Sequence, residues 1–130
     1  MRAFALALGV AAFGIAFLAG ADGPVAQAQA GEQQVCKTKG CKQECPKGDC
    51  LQLCEAKASC SFACKGGKCT QKCKTGSNCK IDCAGGACEQ VVGKGASGIV
   101  GCEGGKCTQS IKPGASVMKL SCKGGGCKKK

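Results

Sequence analysis

Sixteen cysteines are the residues of this 130-residue chain best suited to chemistry, and their rhythm decides which chemistry. From Cys64 to Cys88 they are separated by runs of four, three, five, three and four residues, and neither C-x-C nor C-x-x-C occurs anywhere. Those short spacings aim two thiolates at one ion, which is how structural zinc sites and soft-metal stores of Zn, Cd or Cu(I) are built. Their absence argues against metal binding, and the absence of His removes haem attachment through C-x-x-C-H. A catalytic thiol needs one reduced, activated cysteine, whereas an even set in regular columns points to disulfides. General acid–base work wants His or paired carboxylates, and the acids after residue 30 stand singly. The chain is therefore expected to be no enzyme, with no metal, no cofactor and no small-molecule substrate.

Disulfides persist outside the cytosol, and the N-terminus fits that compartment. Arg2, an apolar run over residues 3–20 and the small-residue motif AQA at 28–30 make residues 1–30 a signal peptide by expectation, leaving 31–130 as a cysteine-rich repeat domain. The product is expected to be secreted, extracellular or periplasmic, with no membrane span after cleavage. All sixteen cysteines lie after residue 30, but three of the four phenylalanines do not, so Phe62 is the one aromatic side chain left. A conventional core cannot be assembled from that inventory, and covalent staples must substitute for it.

The elements that hold the cysteines show themselves as a repeat. Half-units begin at Cys36, Cys45, Cys54, Cys64, Cys73, Cys83, Cys102 and Cys122. The residue midway between cysteines three apart falls into two classes. One is Gln52, Gln71, Gln90 and Gln109, with Gln34 ahead of them; the other is Phe62, Ile81, Val100 and Leu120. Only a coil of 19–20 residues keeps these classes apart. In C-L-Q-L-C or C-K-I-D-C the alternation of a strand places both cysteines and the central residue on one face. Between such strands lie KGGK, AGGA, EGGK and KGGG on one side, and KTGSN, GKGAS and KPGAS on the other, all turn-forming. The expected fold is all-β: a two-sided parallel β-solenoid of about five coils, roughly 25 Å long at about 4.8 Å per coil. Stacked glutamines would bond along the axis as amide ladders do in cross-β assemblies.

Geometry then pairs the sulfurs. Cysteines separated by three strand residues lie about 13 Å apart at Cα, too far for a bridge that tolerates about 7 Å. Cysteines flanking a tight turn can meet. Two half-units, VVGKGASG and IKPGASVM, have each lost both of their cysteines, with Val92 and Ile111 at the first position and Gly98 and Met118 at the second. Loss in couples leaves no orphan only if those two positions bond each other. The expected bridges are Cys36–Cys41, Cys45–Cys50, Cys54–Cys60, Cys64–Cys69, Cys73–Cys79, Cys83–Cys88, Cys102–Cys107 and Cys122–Cys127. Each small loop stabilises by about 2 kcal/mol in the chain-entropy account.

In architecture this chain resembles the small secreted disulfide-stapled solenoids of which beetle antifreeze proteins are the familiar kind, which also bridge cysteines inside each coil. The ranks of Thr-x-Thr that bind ice in that family are missing: Thr38, Thr70, Thr75 and Thr108 form no such pair. The glycine-paired half-turn is similar to the calcium-binding β-roll repeats of exported toxins, but those need an Asp in each turn, and Asp49 stands alone.

Lysines and Arg2 number 19 against 8 acids, a formal charge of +11. Lys39, Lys57, Lys74, Lys94 and Lys112 fall along one turn edge; Lys47, Lys65, Lys68, Lys106 and Lys123 fall along the other; Lys128, Lys129 and Lys130 close the chain. Two basic stripes able to meet polyanions are expected, binding nucleic acid, lipopolysaccharide or acidic polysaccharide electrostatically and without sequence preference, since no aromatics are present to stack on bases. The strand edges at the ends of a solenoid make end-to-end stacking of the chain on itself a further expectation. The functional reading is a non-enzymatic structural or surface-associated protein, with polyanion binding as the alternative.

Overall fold

The structure, a computed structural model, describes residues 25–27 and 29–130. The signal-peptide reading of residues 1–24 and 28 lies outside the described residues. The fold is the expected two-sided parallel solenoid. One sheet has the order β1 (Val25–Gln27), β3 (Cys41–Cys45), β5 (Ser59–Cys64), β7 (Asn78–Cys83), β9 (Ser97–Cys102) and β11 (Ser116–Cys122). The other runs β12 (Lys128–Lys129), β10 (Thr108–Ile111), β8 (Glu89–Val92), β6 (Thr70–Cys73), β4 (Leu51–Cys54) and β2 (Gln33–Cys36). Every neighbouring pair is parallel. The sheet therefore starts inside the segment assigned to the leader, because Val25–Gln27 pairs with residues 42–44.

Burial alternates along each strand as the sequence pattern requires: in β5, Cys60, Phe62 and Cys64 point inward while Ser59, Ser61 and Ala63 do not. Stacking in register places like on like. Ile81 lies on Phe62, Val100 on Ile81 and Leu120 on Val100. Gln43 lies below Phe62 at the foot of this apolar column, a buried polar residue the sequence reading did not single out. Its amide oxygen accepts the backbone N–H groups of Val35 at 3.3 Å and Cys36 at 3.1 Å, which is how it tolerates burial.

The glutamine column is a ladder. Gln52 Nε2 donates to Gln34 Oε1 at 3.2 Å, Gln71 to Gln52 at 2.9 Å, Gln90 to Gln71 at 3.1 Å and Gln109 to Gln90 at 3.1 Å. The second N–H of each amide crosses the interior to a carbonyl of the opposite sheet: Gln52 to Gln43, Gln71 to Asp82, Gln90 to Gly101 and Gln109 to Ser121. Gln52, Gln71 and Gln90 thus bury a full amide with its donors and its acceptor partnered, the condition under which a buried polar group is not destabilising. The ladder holds the two sheets together as well as the coils.

One detail departs from the sequence reading. Met118 does not occupy the second cysteine position of the fifth coil. Val117 does, paired with Gly98, and Met118 is the extra residue of a bulge, extruded to 73% exposure. That bulge is why the apolar column skips twenty residues between Val100 and Leu120. In the first coil the turn from Cys36 to Cys41 spans five residues, against six from Cys54 to Cys60.

Candidate functional site

All eight bridges form as the spacing requires, each within one coil, and no free cysteine is present among the described residues. Their Cα separations of 5.9 to 6.5 Å fall in the ordinary range for disulfides. The sulfurs assemble into two columns of different character. At the glycine edge the buried cluster is sulfur throughout: Cys45, Cys50, Cys64, Cys69, Cys83, Cys88, Cys102 and Cys107, with Cys127 against it. At the other edge Cys36, Cys54, Cys60, Cys73 and Cys79 share the interior with Phe62, Ile81, Val92, Ala96 and Val100.

Stacking brings sulfurs of neighbouring coils close. Cys45 with Cys64 and Cys69, Cys64 with Cys83 and Cys88, and Cys83 with Cys102 and Cys107 each lie mutually within 4.8 Å, as do Cys36, Cys54 and Cys60. Each of these atoms is already half of a disulfide. As folded, the groups offer no thiolate, and thiolate is the form that attacks electrophiles or ligates ions.

The lysines are exposed but do not form the two continuous stripes that spacing suggests. Aligned by the flanking strands, Lys74 and Lys112 share one column of the first edge with Glu55 and Gly93; Lys94 belongs to the next column; Lys57 stands where later coils carry Gly76, Gly95 and Gly114; Lys39 sits in the shorter first turn. At the glycine edge Lys65 and Lys123 share a column with Ala84 and Glu103, Lys68 and Lys106 share one with Asp49, Ala87 and Gly126, and Lys47 heads a column of glycines. Three of the lysines hold carboxylates of adjacent coils: Lys65 with Glu44 at 3.5 Å, Lys74 with Glu55 at 2.9 Å and Lys123 with Glu103 at 2.7 Å. Lys39, Lys47, Lys57, Lys68, Lys94, Lys106 and Lys112 have no carboxylate within 4.0 Å among the described residues, nor do Lys128, Lys129 and Lys130.

A true lysine register appears elsewhere, on the outer face of the β3–β11 sheet. Lys42, Ser61, Lys80, Ile99 and Lys119 stack in one column, which puts an ammonium on every second coil, about 10 Å apart. A shallow groove of about 260 Å³ runs beside it, bordered by Lys42, Ser61, Lys80, Ile99 and Met118. Sequence spacing holds this signal, since Lys42 and Lys80 each follow the first cysteine of their strand, on a strand face and not at a turn edge. Acids temper the field: Glu44 and Asp82 stand two residues along the same strands. Burial, and after it the charge of Glu103, raise the Asp82 carboxyl above its ordinary value. Lys123 holds Glu103 below its own, and the same contact raises Lys123.

No family model matches this chain, and searches of curated proteins and of solved structures return no match either.

Proposed function

We propose that this protein is a secreted, non-enzymatic structural protein held at an envelope or matrix surface. The observation that carries the reading is where the cysteines went: every sulfur closes a turn of a single coil, and the glutamine ladder ties those closed coils together. All sixteen thiols of the sequence are consumed in closing the turns of a short rod. Fractionation of the producing cells tests this. The protein is expected in the medium or the washed surface fraction with its thiols blocked, and recovery from the cytosol with thiols that titrate would overturn the proposal.

A second reading, electrostatic binding of polyanions, is favoured by the lysine column of Lys42, Lys80 and Lys119 together with the edge lysines that have no carboxylate partner. Attraction of this kind rests on displaced counterions and falls steeply with salt. On immobilised heparin the expected elution is at low to moderate salt, and retention that ignores salt would defeat this second reading.

A further inference from the structure

The stack of coils does not begin at Cys36. Residues 29–32 make the same turn that closes every later coil at the glycine edge. In those coils the residue just before the second cysteine has a left-handed backbone: Asp49 at φ 58°, Lys68 at 56°, Ala87 at 56°, Lys106 at 58° and Gly126 at 67°. Gly31, just before Glu32, does the same at φ 78°. The second cysteine's carbonyl then accepts an N–H from the following coil. Cys50 accepts from Thr70 at 2.9 Å, Cys69 from Glu89 at 2.9 Å, Cys88 from Thr108 at 2.8 Å and Cys107 from Lys128 at 2.8 Å. The Glu32 carbonyl accepts from Leu51 at 3.0 Å in the same way. Later coils close this turn with a disulfide. Here the Glu32 carboxylate accepts the Gln29 N–H at 2.8 Å, and the Glu32 N–H donates to the Gln29 carbonyl at 3.1 Å.

β1 leads into this turn as β3 leads into the next one, and it pairs in parallel with β3 through Val25–Lys42, Ala26–Gln43 and Gln27–Glu44. β1, the turn and β2 are thus one further coil of the rod, without a cysteine until Cys36. Removal of residues 1–30 would take away β1 and half of the turn. β3 would become a bare sheet edge, which invites pairing with other chains. Gln43, only 3% exposed, would lose the strand below it and stand at an open end of the interior, where a buried amide is costly.

A leader ends in a small-residue motif behind its apolar run. Three Ala-x-Ala motifs close or follow that run: Ala19-Gly20-Ala21, Ala26-Gln27-Ala28 and Ala28-Gln29-Ala30. Of these, only the first lies ahead of β1. We propose that the leader peptidase of the exporting membrane cuts after Ala21, so that the mature chain begins at Asp22 and keeps β1 as the end coil of the rod. Water adds across the Ala21–Asp22 amide, leaving a carboxylate on Ala21 and an ammonium on Asp22. This cut presupposes the export proposed above, and it moves the leader's end from residue 30 to residue 21. Residues 19–22 are outside the described residues and are placed by sequence alone; the described coil supplies the reason to keep residues 25–30.

N-terminal sequencing and intact mass of the exported, oxidised protein test the proposal. The expected start is DGPVAQAQA. The A28L/A30L variant, which spoils both later motifs, is expected to keep that start, whereas Ala21→Leu is expected to abolish it. In hydrogen exchange of the exported wild type, at least one amide of residues 25–27 is expected to exchange about ten-fold or more slower than in a free chain. A wild-type chain exported with its start at Gln29 or Gly31, or with its leader retained, would overturn the proposal while leaving export intact. So would an A28L/A30L chain that starts elsewhere, or free-chain exchange throughout residues 25–27. An uncut chain recovered from the cytosol would bring down export, and the proposed cut with it.

Discussion

The first three coils are stapled at both edges, whereas the fourth and fifth are stapled only at the glycine edge. The strands nevertheless run on in unbroken register from the third coil to the fourth. The staple therefore does not set the register. In the fourth coil Val92 and Ala96 are fully buried where the third coil has Cys73 and Ser77, so aliphatic packing substitutes for the bridge. The unstapled strand also sits tight against its neighbour: a Cβ at Gly98 would lie 2.0 Å from Cys79 O. In the fifth coil Ile111 and Val117 are only partly buried, and the bulge appears there. Packing replaces a disulfide well where coils lie on both sides, and less well at the end of the stack.

The sharpest way to break this comparison is to remove what both regions share. Gln71→Leu takes the donor from Gln52 Oε1, the side-chain donor from the Asp82 carbonyl and one of two acceptors from Gln90 Nε2, which keeps the Gly101 carbonyl. Buried unpartnered groups cost about 1–3 kcal/mol each, so a loss of roughly 3 kcal/mol or more is expected in urea unfolding of the oxidised protein. Gln109→Leu should cost markedly less, because Gln109 Oε1 is already a buried acceptor without a partner. Equal losses at the two positions would mean that the ladder is not the common support.

A smaller effect is expected from making the third coil resemble the fourth. Cys73→Val with Cys79→Gly removes one short covalent loop, worth about 2 kcal/mol in the chain-entropy account, with part of it returned by packing. The reverse change, Val92→Cys with Gly98→Cys, should add no ninth bridge. Its second Cβ meets the Cys79 carbonyl, so mass spectrometry is expected to show both new thiols free or mispaired and a lower yield of folded protein.

The smallest effect concerns charge on the face of the same coils. A carboxyl raised by burial, as Asp82 is, favours the folded state while protonated, and that contribution is lost as pH rises through the raised value. Asp82→Asn is therefore expected to raise the thermal midpoint slightly near neutral pH, with the gap closing in acid. A gap that widens in acid would reverse the assigned sign.

Coil pitch, sulfur pairing and the two inward columns were legible because each rests on strict periodicity, and a half-cystine or a glutamine has few other ways to be buried. Gln43 escaped notice because it breaks the apolar class while keeping its position between Cys41 and Cys45. The bulge at Met118 was invisible for a related reason: a one-residue insertion reads as a longer interval, not as a side chain turned outward. The lysine columns needed the true register, which turn lengths alone do not give.

All four rungs of the glutamine ladder point the same way, each nitrogen donating toward the N-terminal end. Aligned amide dipoles add, as peptide dipoles do along a helix, so the rod is electrically polar. Its negative pole falls at Gln109, and β12 sets Lys129 directly over that residue. The basic tail thus sits where the interior field is best placed to hold a cation.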